Sequence, residues 1–163
     1  MKAEAILGDH DELRFHGRRR HFVDIGWGDA AKHRQVVTTG DGLRVEITLP
    51  RGSFLHDGAV LTDDGHEIVV VRRPAEPAIT VRFADNDGVH GARRMLLLGY
   101  LLGNQHAPVD VDDDRLAAPL FTSAHAAEDM LADLGVVGTV TAVPMATHGW
   151  SRTSADSHAG HHH

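Results

Sequence analysis

The sequence has no cysteine, few aromatic side chains and no long apolar run. The absence of cysteine excludes disulfides and thiolate metal ligands. The longest apolar run, MLLLGYLLG, is about half as long as the ~20 residues that a membrane-spanning helix needs. The N-terminal stretch MKAEAILGDHDELR has no apolar core followed by a small-residue cleavage site, so secretion is not expected. These absences predict a cytoplasmic protein with no membrane partner.

The sequence also lacks a surplus of positive charge. It has 16 Lys and Arg against 23 Asp and Glu, for a formal net charge of −7. Phosphate backbones are bound by a surplus of cations, so nucleic acid is not an expected partner. Histidine, in contrast, is abundant, with 14 copies. Neutral imidazole is a good ligand for nickel, copper and zinc, which makes metal binding a candidate function.

The first half of the chain has the pattern of β-strands. Residues 43–50, LRVEITLP, alternate so that Leu43, Val45, Ile47 and Leu49 share one face. Residues 67–72, EIVVVR, form a β-branched run of the same type. Asp-Gly pairs, which supply the positive φ of tight hairpin turns, lie at 41–42, 57–58 and 64–65. The pattern predicts a small all-β N-terminal domain over residues 1–76.

The stretch RRPAEPA, residues 72–78, has two prolines and predicts an interdomain linker, because proline interrupts helices and central strands. Residues 77–146 then alternate strand-like and helix-like segments in the order β-α-β-β-α-β. The first helix is expected to end at Gly103-Asn104, and the second to begin at Ser123 and stop at Gly135. This order is typical of a ferredoxin-like domain. The fold class is therefore predicted to be α+β.

Residues after Pro144 are rich in polar residues, glycine and histidine, and we expect them to be disordered. The predicted tail spans residues 147–163. Its terminal histidines are either native metal ligands or the remnant of a purification tag.

Four stretches of the sequence together resemble the UreE family of urease accessory metallochaperones: LPRGSFLHDGAVLTDDGHEIVVVRRPAEP, LGYLLGNQH, HAAEDML and HAGHHH. The resemblance implies a non-catalytic protein that delivers nickel for assembly of the urease metallocentre. It also implies an N-terminal domain that engages partner polypeptides and a C-terminal domain that binds metal and forms a homodimer. The implied partners are the urease apoprotein and other urease accessory proteins, including a GTPase.

The family motif Gly-Asn-Arg-His implies that His106 binds metal at the dimer interface. Gln105 stands where the family usually has arginine, and Leu101 stands where some relatives have a further histidine. A His-x-His pair of some members is reduced here to His125, because its first position is Ser123. His125 is a candidate peripheral metal ligand, with an exposed histidine in the first turn of the second helix as the alternative. The residues alone favour a different interpretation, in which His106 interacts with the C-terminus of the preceding helix, where a cation is stabilised; the resemblance reverses this preference.

Two imidazoles from a dimer leave the shell of Ni(II) incomplete, so the tail is expected to supply further ligands. The candidates are His158, His161, His162 and His163. Tethering would keep them at high local concentration near His106. Zn(II) and Cu(II) are also expected to bind, because imidazole discriminates poorly among these ions. The alternative is a non-catalytic nickel or zinc store, or a scaffold for protein-protein contact.

Two features remain outside this scheme. The basic cluster HGRRRH, residues 16–21, is interpreted as a solvated strand or loop, with docking to an acidic partner as the alternative. The remaining internal histidines, among them His21, are expected to be surface residues. No nucleophile elbow, phosphate-binding loop or HExxH motif is present, so no enzyme activity is predicted.

Overall fold

The computed structural model describes residues 1–151 of the chain. The described residues form two compact units. The first comprises Met1–Pro74 and Thr147–Gly149, and the second comprises Ala75–Ala146 with Trp150 and Ser151. Among the described residues, every helix is too short or too polar to cross a lipid bilayer.

The first unit is built from strands, as the alternating patterns predict. Its sheets have the orders β1-β5-β4 and β2-β6-β7-β3. Most neighbouring strands are antiparallel, but β1 pairs with β5 in parallel and β3 pairs with β7 in parallel. The strands are β1 (Lys2–Ala3), β2 (Gly8–Asp9), β3 (Arg19–Asp24), β4 (Arg34–Thr38), β5 (Arg44–Thr48), β6 (Ala59–Asp63) and β7 (Glu67–Arg72). The predicted all-β N-terminal domain is confirmed.

Strand β7 of the second sheet is buried on both faces, which explains its uninterrupted apolar run. Val69 and Val71 belong to the core shared with the first sheet, which includes Ile47. Ile68 and Val70 belong to a separate cluster with Phe15, at the end of the short 3₁₀ turn Leu13–Phe15. Because successive side chains of a strand point to opposite faces, a strand covered on both sides must be apolar at every position.

The basic cluster lies on and before β3, and its arginines bind within the unit. Arg18 Nε lies 3.1 Å from Asp63 Oδ1, and Arg19 Nη1 lies 3.4 Å from Glu67 Oε1. Arg20 donates to the His10 carbonyl at 3.1 Å. The strand interpretation is therefore confirmed. The alternative of docking to an acidic partner loses its main support, because these cations already have acidic or carbonyl partners.

The second unit contains strands β8 (Glu76–Arg82), β9 (Asp110–Val111), β10 (Arg115–Pro119) and β11 (Thr139–Val143), with helices α1 (Gly88–Asn104) and α2 (Ala124–Leu134). The sheet order is β11-β8-β10-β9, and every neighbouring pair is antiparallel. Leu98 and Leu102 of α1 and Leu131 of α2 form a core with Ile79 and Val81 of β8. This arrangement confirms the ferredoxin-like prediction.

The linker predicted over residues 72–78 is wrong at both ends. Arg72 is the last residue of β7, and β8 begins at Glu76. Strand β8 therefore includes a proline, although it is a central strand with a neighbour on each side. Pro77 is tolerated because it pairs only with Ala142 on β11, while pairing with β10 starts at Ala78. A proline at the start of a strand interrupts no central ladder.

The ends of the helices differ in how well the sequence predicts them. Ser123 caps α2 as predicted, its Oγ accepting from the Ala126 amide at 3.2 Å, and Gly135 ends α2 with φ +68°. Helix α1 is preceded by a 3₁₀ turn at Phe83–Asn86. The N-cap residue Asp87 makes no side-chain capping bond.

The side chain of Asn86 fixes this turn to the start of the last strand segment. Its Nδ2 donates to the carbonyls of Arg82 at 3.0 Å and Val137 at 2.9 Å, and its Oδ1 accepts from the Val137 amide at 2.8 Å. Asn86 is buried, so these three bonds have little access to replacement water. The amide therefore sets where α1 begins.

We expect Asn86→Ala to lower the free energy of unfolding by about 2–4 kcal/mol, because it leaves three backbone groups without partners. Chemical denaturation monitored by circular dichroism measures the loss. Asp87→Ala is the matched control, since the neighbouring side chain makes no capping bond, and a change within about 0.5 kcal/mol is expected there. Equal, small losses in both variants would show that the amide is dispensable.

The expected disorder after Pro144 is wrong for the next two residues. Met145 and Ala146 are fully buried, and the Ala146 amide donates to Asp110 Oδ2 at 2.9 Å. The chain then returns to β9: Ser151 N donates to the Val109 carbonyl at 3.1 Å, and Ser151 Oγ accepts from the Val111 amide at 2.7 Å.

Candidate metal site

His106 occupies the position immediately after the C-cap of α1, and its backbone is left-handed, with φ +54°. Its amide donates to the Gly103 carbonyl at 3.0 Å, and the Ala107 amide donates to the Leu102 carbonyl at 3.0 Å. This pair of bonds is the Schellman helix ending, which usually has glycine at the left-handed position. Helix α1 therefore ends at Asn104, as predicted, and the left-handed residue that reverses the chain is His106 rather than a glycine.

This conformation is costly for histidine. A residue with a Cβ loses roughly 1–2 kcal/mol in the left-handed region relative to the right-handed one. The imidazole is exposed, so burial does not offset the cost. Strained residues of this kind cluster at functional sites. An exposed histidine at a position that suits glycine therefore indicates a role for the imidazole itself.

The outer face of α1 carries an apolar stripe, which we define as Val89, Leu96 and Tyr100. Their side chains are 86%, 73% and 70% exposed. Spacings of seven and four residues place them on one face of the helix, opposite the buried Leu98 and Leu102. The stripe runs toward the C-terminal end of α1, where His106 lies. It is the kind of exposed apolar surface that marks a protein-protein contact.

His125 lies in the first turn of α2, two residues after the capping Ser123. Its Nε2 is 3.4 Å from Asp129 Oδ2, one helical turn on, and both side chains are largely exposed. His125 and Asp129 thus place two possible metal ligands on one face of α2. Within residues 1–151, no group of three or more His, Asp or Glu side chains is placed to hold a metal ion. Residues 1–151 of one chain therefore bring no more than two such side chains together at any one place in this structure.

The other predicted ligands lie outside the described residues: His158, His161, His162 and His163. One internal histidine differs from its expected surface position, because His21 is only 4% exposed. The alternation of buried and exposed residues along β3 could have revealed this, since His21 shares a face with the buried Val23.

The second unit also has an open groove of about 660 Å³, which lies along β8 and β11 and does not include His106 among its lining residues. Its walls carry threonine hydroxyls and charges of both signs, including Thr80, Thr139, Arg82 and Asp114. The candidate site at His106 is thus an exposed surface site and not part of this concave pocket.

Two family models match the chain. The UreE urease accessory protein N-terminal domain matches residues 3–73, and the corresponding C-terminal domain matches residues 76–163. The boundary between the two matches falls at residues 74–75, in the short connection between β7 and β8.

Individual relatives agree with this match. The urease accessory protein UreE of Chelativorans sp. (strain BNC1) is 31% identical over 147 residues, which cover 88% of this chain and 86% of that protein. The protein of the same name from Citrobacter koseri is 34% identical over 133 residues, covering 81% and 80%. The chain therefore belongs to the UreE family of urease accessory proteins.

Proposed function

We propose that this protein is a non-catalytic, homodimeric metallochaperone that binds Ni(II) through His106 of two copies and delivers it for assembly of the urease metallocentre. The observation that carries the proposal is the exposed imidazole of His106, held in a glycine-favouring conformation near an unpartnered apolar stripe. Membership of the urease accessory family supports the role in urease maturation.

The stripe supports a second copy of the chain as the partner of α1. A two-fold axis near the C-terminal end of α1 would cover both stripes with each other. The same axis would bring two His106 side chains together without any further sequence requirement. Metal ligands from two chains would compensate for the absence, among residues 1–151 of one chain, of any group of three metal-binding side chains.

The anchor of the C-terminal segment supports a role for the tail histidines. Ser151 is hydrogen-bonded to Val109, which follows His106 by three residues, so the Cα atoms of Ser151 and His106 lie within about 17 Å of each other. His158 follows Ser151 by seven positions, and a chain of that length spans up to about 23–25 Å. His158 and the three terminal histidines are therefore within reach of His106. A tether whose length matches the required span gives the highest effective concentration.

The donor chemistry favours nickel without excluding its neighbours. Imidazole nitrogens suit Ni(II), Zn(II) and Cu(II), while a soft ion such as Cu(I) prefers the thiolates that this sequence lacks. His125 is a peripheral ligand in this proposal, with Asp129 beside it. A shell completed by tethered side chains exchanges more readily than a closed four-ligand structural site, as delivery requires.

The two units have different roles in this proposal. We assign partner contact to the β-sheet domain, predicted over residues 1–76, and metal binding and dimerisation to residues 77–146. The proposed partners are the urease apoprotein and other urease accessory proteins, including a GTPase. The cytoplasmic location expected from the sequence stays a prediction.

The direct test is His106→Asn. Asparagine tolerates the left-handed conformation better than most residues, so the helix ending should be kept while the imidazole is lost. We expect nickel affinity at the first site of the dimer to fall at least about tenfold in calorimetric titration, because metal-site residues, even those outside the first shell, typically contribute this much. The melting temperature should stay the same or rise slightly.

His90→Asn is the matched control, since His90 is another exposed histidine on α1 and should leave nickel affinity unchanged. Wild-type first-site affinity in His106→Asn would remove His106 from the site. If that variant also activated urease apoprotein at the wild-type rate, the scaffold alternative would be the better description.

A further inference from the structure

His21 lies between two carboxylates in the first unit. It is on β3, and only 4% of its side chain is exposed. Its Nδ1 makes a short hydrogen bond with Asp41 Oδ2. Its Nε2 lies 3.1 Å from Glu67 Oε2, within ion-pair distance but off the direction of a hydrogen bond. Each ring nitrogen therefore faces an acid, an arrangement that suits a ring carrying protons on both nitrogens.

Both acids are held in place by other groups. Asp41 Oδ1 accepts from Thr39 Oγ1 at 2.6 Å, and Glu67 Oε1 lies 3.4 Å from Arg19 Nη1. The nearby Arg18 and Arg20 are occupied elsewhere, by Asp63 and by the His10 carbonyl. The charged groups that act on His21 are therefore Asp41 from the β4–β5 turn and Glu67 from β7.

The contact joins the two sheets of the unit. Asp41 belongs to the turn between β4 and β5, in the first sheet, whereas His21 and Glu67 belong to the second. Next to it, the Gly40 amide donates to the Phe22 carbonyl at 3.0 Å. The turn itself is closed locally, by the Gly42 amide donating to the Thr39 carbonyl at 3.0 Å. Attachment of the turn to β3 thus depends on the Asp41–His21 pair and one backbone bond beside it.

We propose that protonated His21 makes a pH-sensitive contact that holds the β4–β5 turn against β3 and releases it as the pH rises. The charge is essential to the contact, because a neutral ring can donate from only one nitrogen. After deprotonation, one of the two carboxylates would face a nitrogen lone pair across a part-buried contact, which is unfavourable.

The electrostatics support the proposed direction. The hydrogen bond with Asp41 raises the pKa of His21 above its ordinary value, against burial, which lowers it. The hydrogen bonds from Thr39 and His21 lower the pKa of Asp41. A raised histidine pKa means that the stabilisation is complete below about pH 6.5, the unfolded value, and is lost as the pH rises through the folded value. On the acid side, the Asp41 contribution is present above about pH 3.9 and is lost as the pH falls through its lowered folded value.

Two NMR measurements on the full-length chain test whether protonation of His21 holds the β4–β5 turn against β3. The ring protons of His21 report its titration, and hydrogen exchange of the Gly40 amide, expressed as a protection factor at each pH, reports attachment of the turn. We expect His21 to titrate above pH 6.5 and the protection of Gly40 to fall over the same pH range. Asp41→Asn should lower the midpoint of His21. Asp24→Asn, which removes a carboxylate of the same strand that pairs with Arg72, should leave it unchanged.

A wild-type midpoint at or below about pH 6.5 would overturn the proposal. So would constant protection of Gly40 across the titration, which would show that the proton does not control the turn. If Asp41→Asn does not fold, the two wild-type measurements decide the question by themselves. Parallel shifts in Asp41→Asn and Asp24→Asn would also count against it, because they would indicate a general charge effect.

Discussion

Replacing Leu96 and Tyr100 of the apolar stripe by glutamate should convert the proposed dimer to a monomer. Burying a side chain of this size contributes about 1.5–3 kcal/mol, and a two-fold interface buries each one twice. The introduced carboxylates would also face each other across the axis. The dissociation constant of the dimer should therefore rise at least about a hundredfold, which corresponds to about 2.8 kcal/mol. Analytical ultracentrifugation over a concentration series measures it.

The same variant tests whether the metal site needs two copies. If His106 binds nickel as a pair, first-site affinity should fall together with the dimer, although no ligand has been changed. Leu13→Glu is the matched control, because Leu13 is 84% exposed but belongs to the first unit. A double variant that stays dimeric at micromolar concentration would place the interface elsewhere. A monomer with wild-type nickel affinity would show that the nickel site does not depend on the dimer interface.

Arg73→Met should lower the free energy of unfolding of the first unit by about 3–5 kcal/mol, the usual cost of breaking a buried charged contact. Arg73 is 4% exposed, and its guanidinium donates to the carbonyls of Ile25, Gly26 and Leu55. It also lies over the Phe54 ring, 5.6 Å from the centroid. Methionine would retain the aliphatic packing but remove the guanidinium donor from all three carbonyls, of which Gly26 keeps another bond, from the Asp29 amide at 3.1 Å.

Chemical denaturation followed by the fluorescence of Trp27, in the same unit, measures the loss. Arg34→Met is the control, because Arg34 is an exposed residue of β4 and its replacement should change stability by no more than about 0.5 kcal/mol. Arg73→Lys should fall between the two, since one ammonium group cannot reproduce the planar fork of the guanidinium. Equal stability of Arg73→Met and Arg34→Met would mean that water replaces the lost donor.

The sequence was sufficient where the deciding interactions are local. The order β-α-β-β-α-β, the capping of α2 by Ser123 and its stop at Gly135 could all be predicted, because helix periodicity and caps depend on residues within about four positions of one another. The core face of β5 followed from alternation for the same reason: Val45, Ile47 and Leu49 are buried as expected. The histidine motif at the end of α1 was also recognisable from the sequence.

Tertiary structure decided the features that depend on distant partners. Pro77 lies within a strand because pairing with β10 starts one residue later. His21 is buried because Asp41 and Glu67, far along the chain, meet both of its ring nitrogens. His106 has a left-handed backbone at the point where the chain leaves α1 and enters the core at Ala107. Sequence patterns thus determined the elements and the candidate ligand, whereas packing determined the burial, charge and strain of particular side chains, because these depend on contacts that no local pattern records.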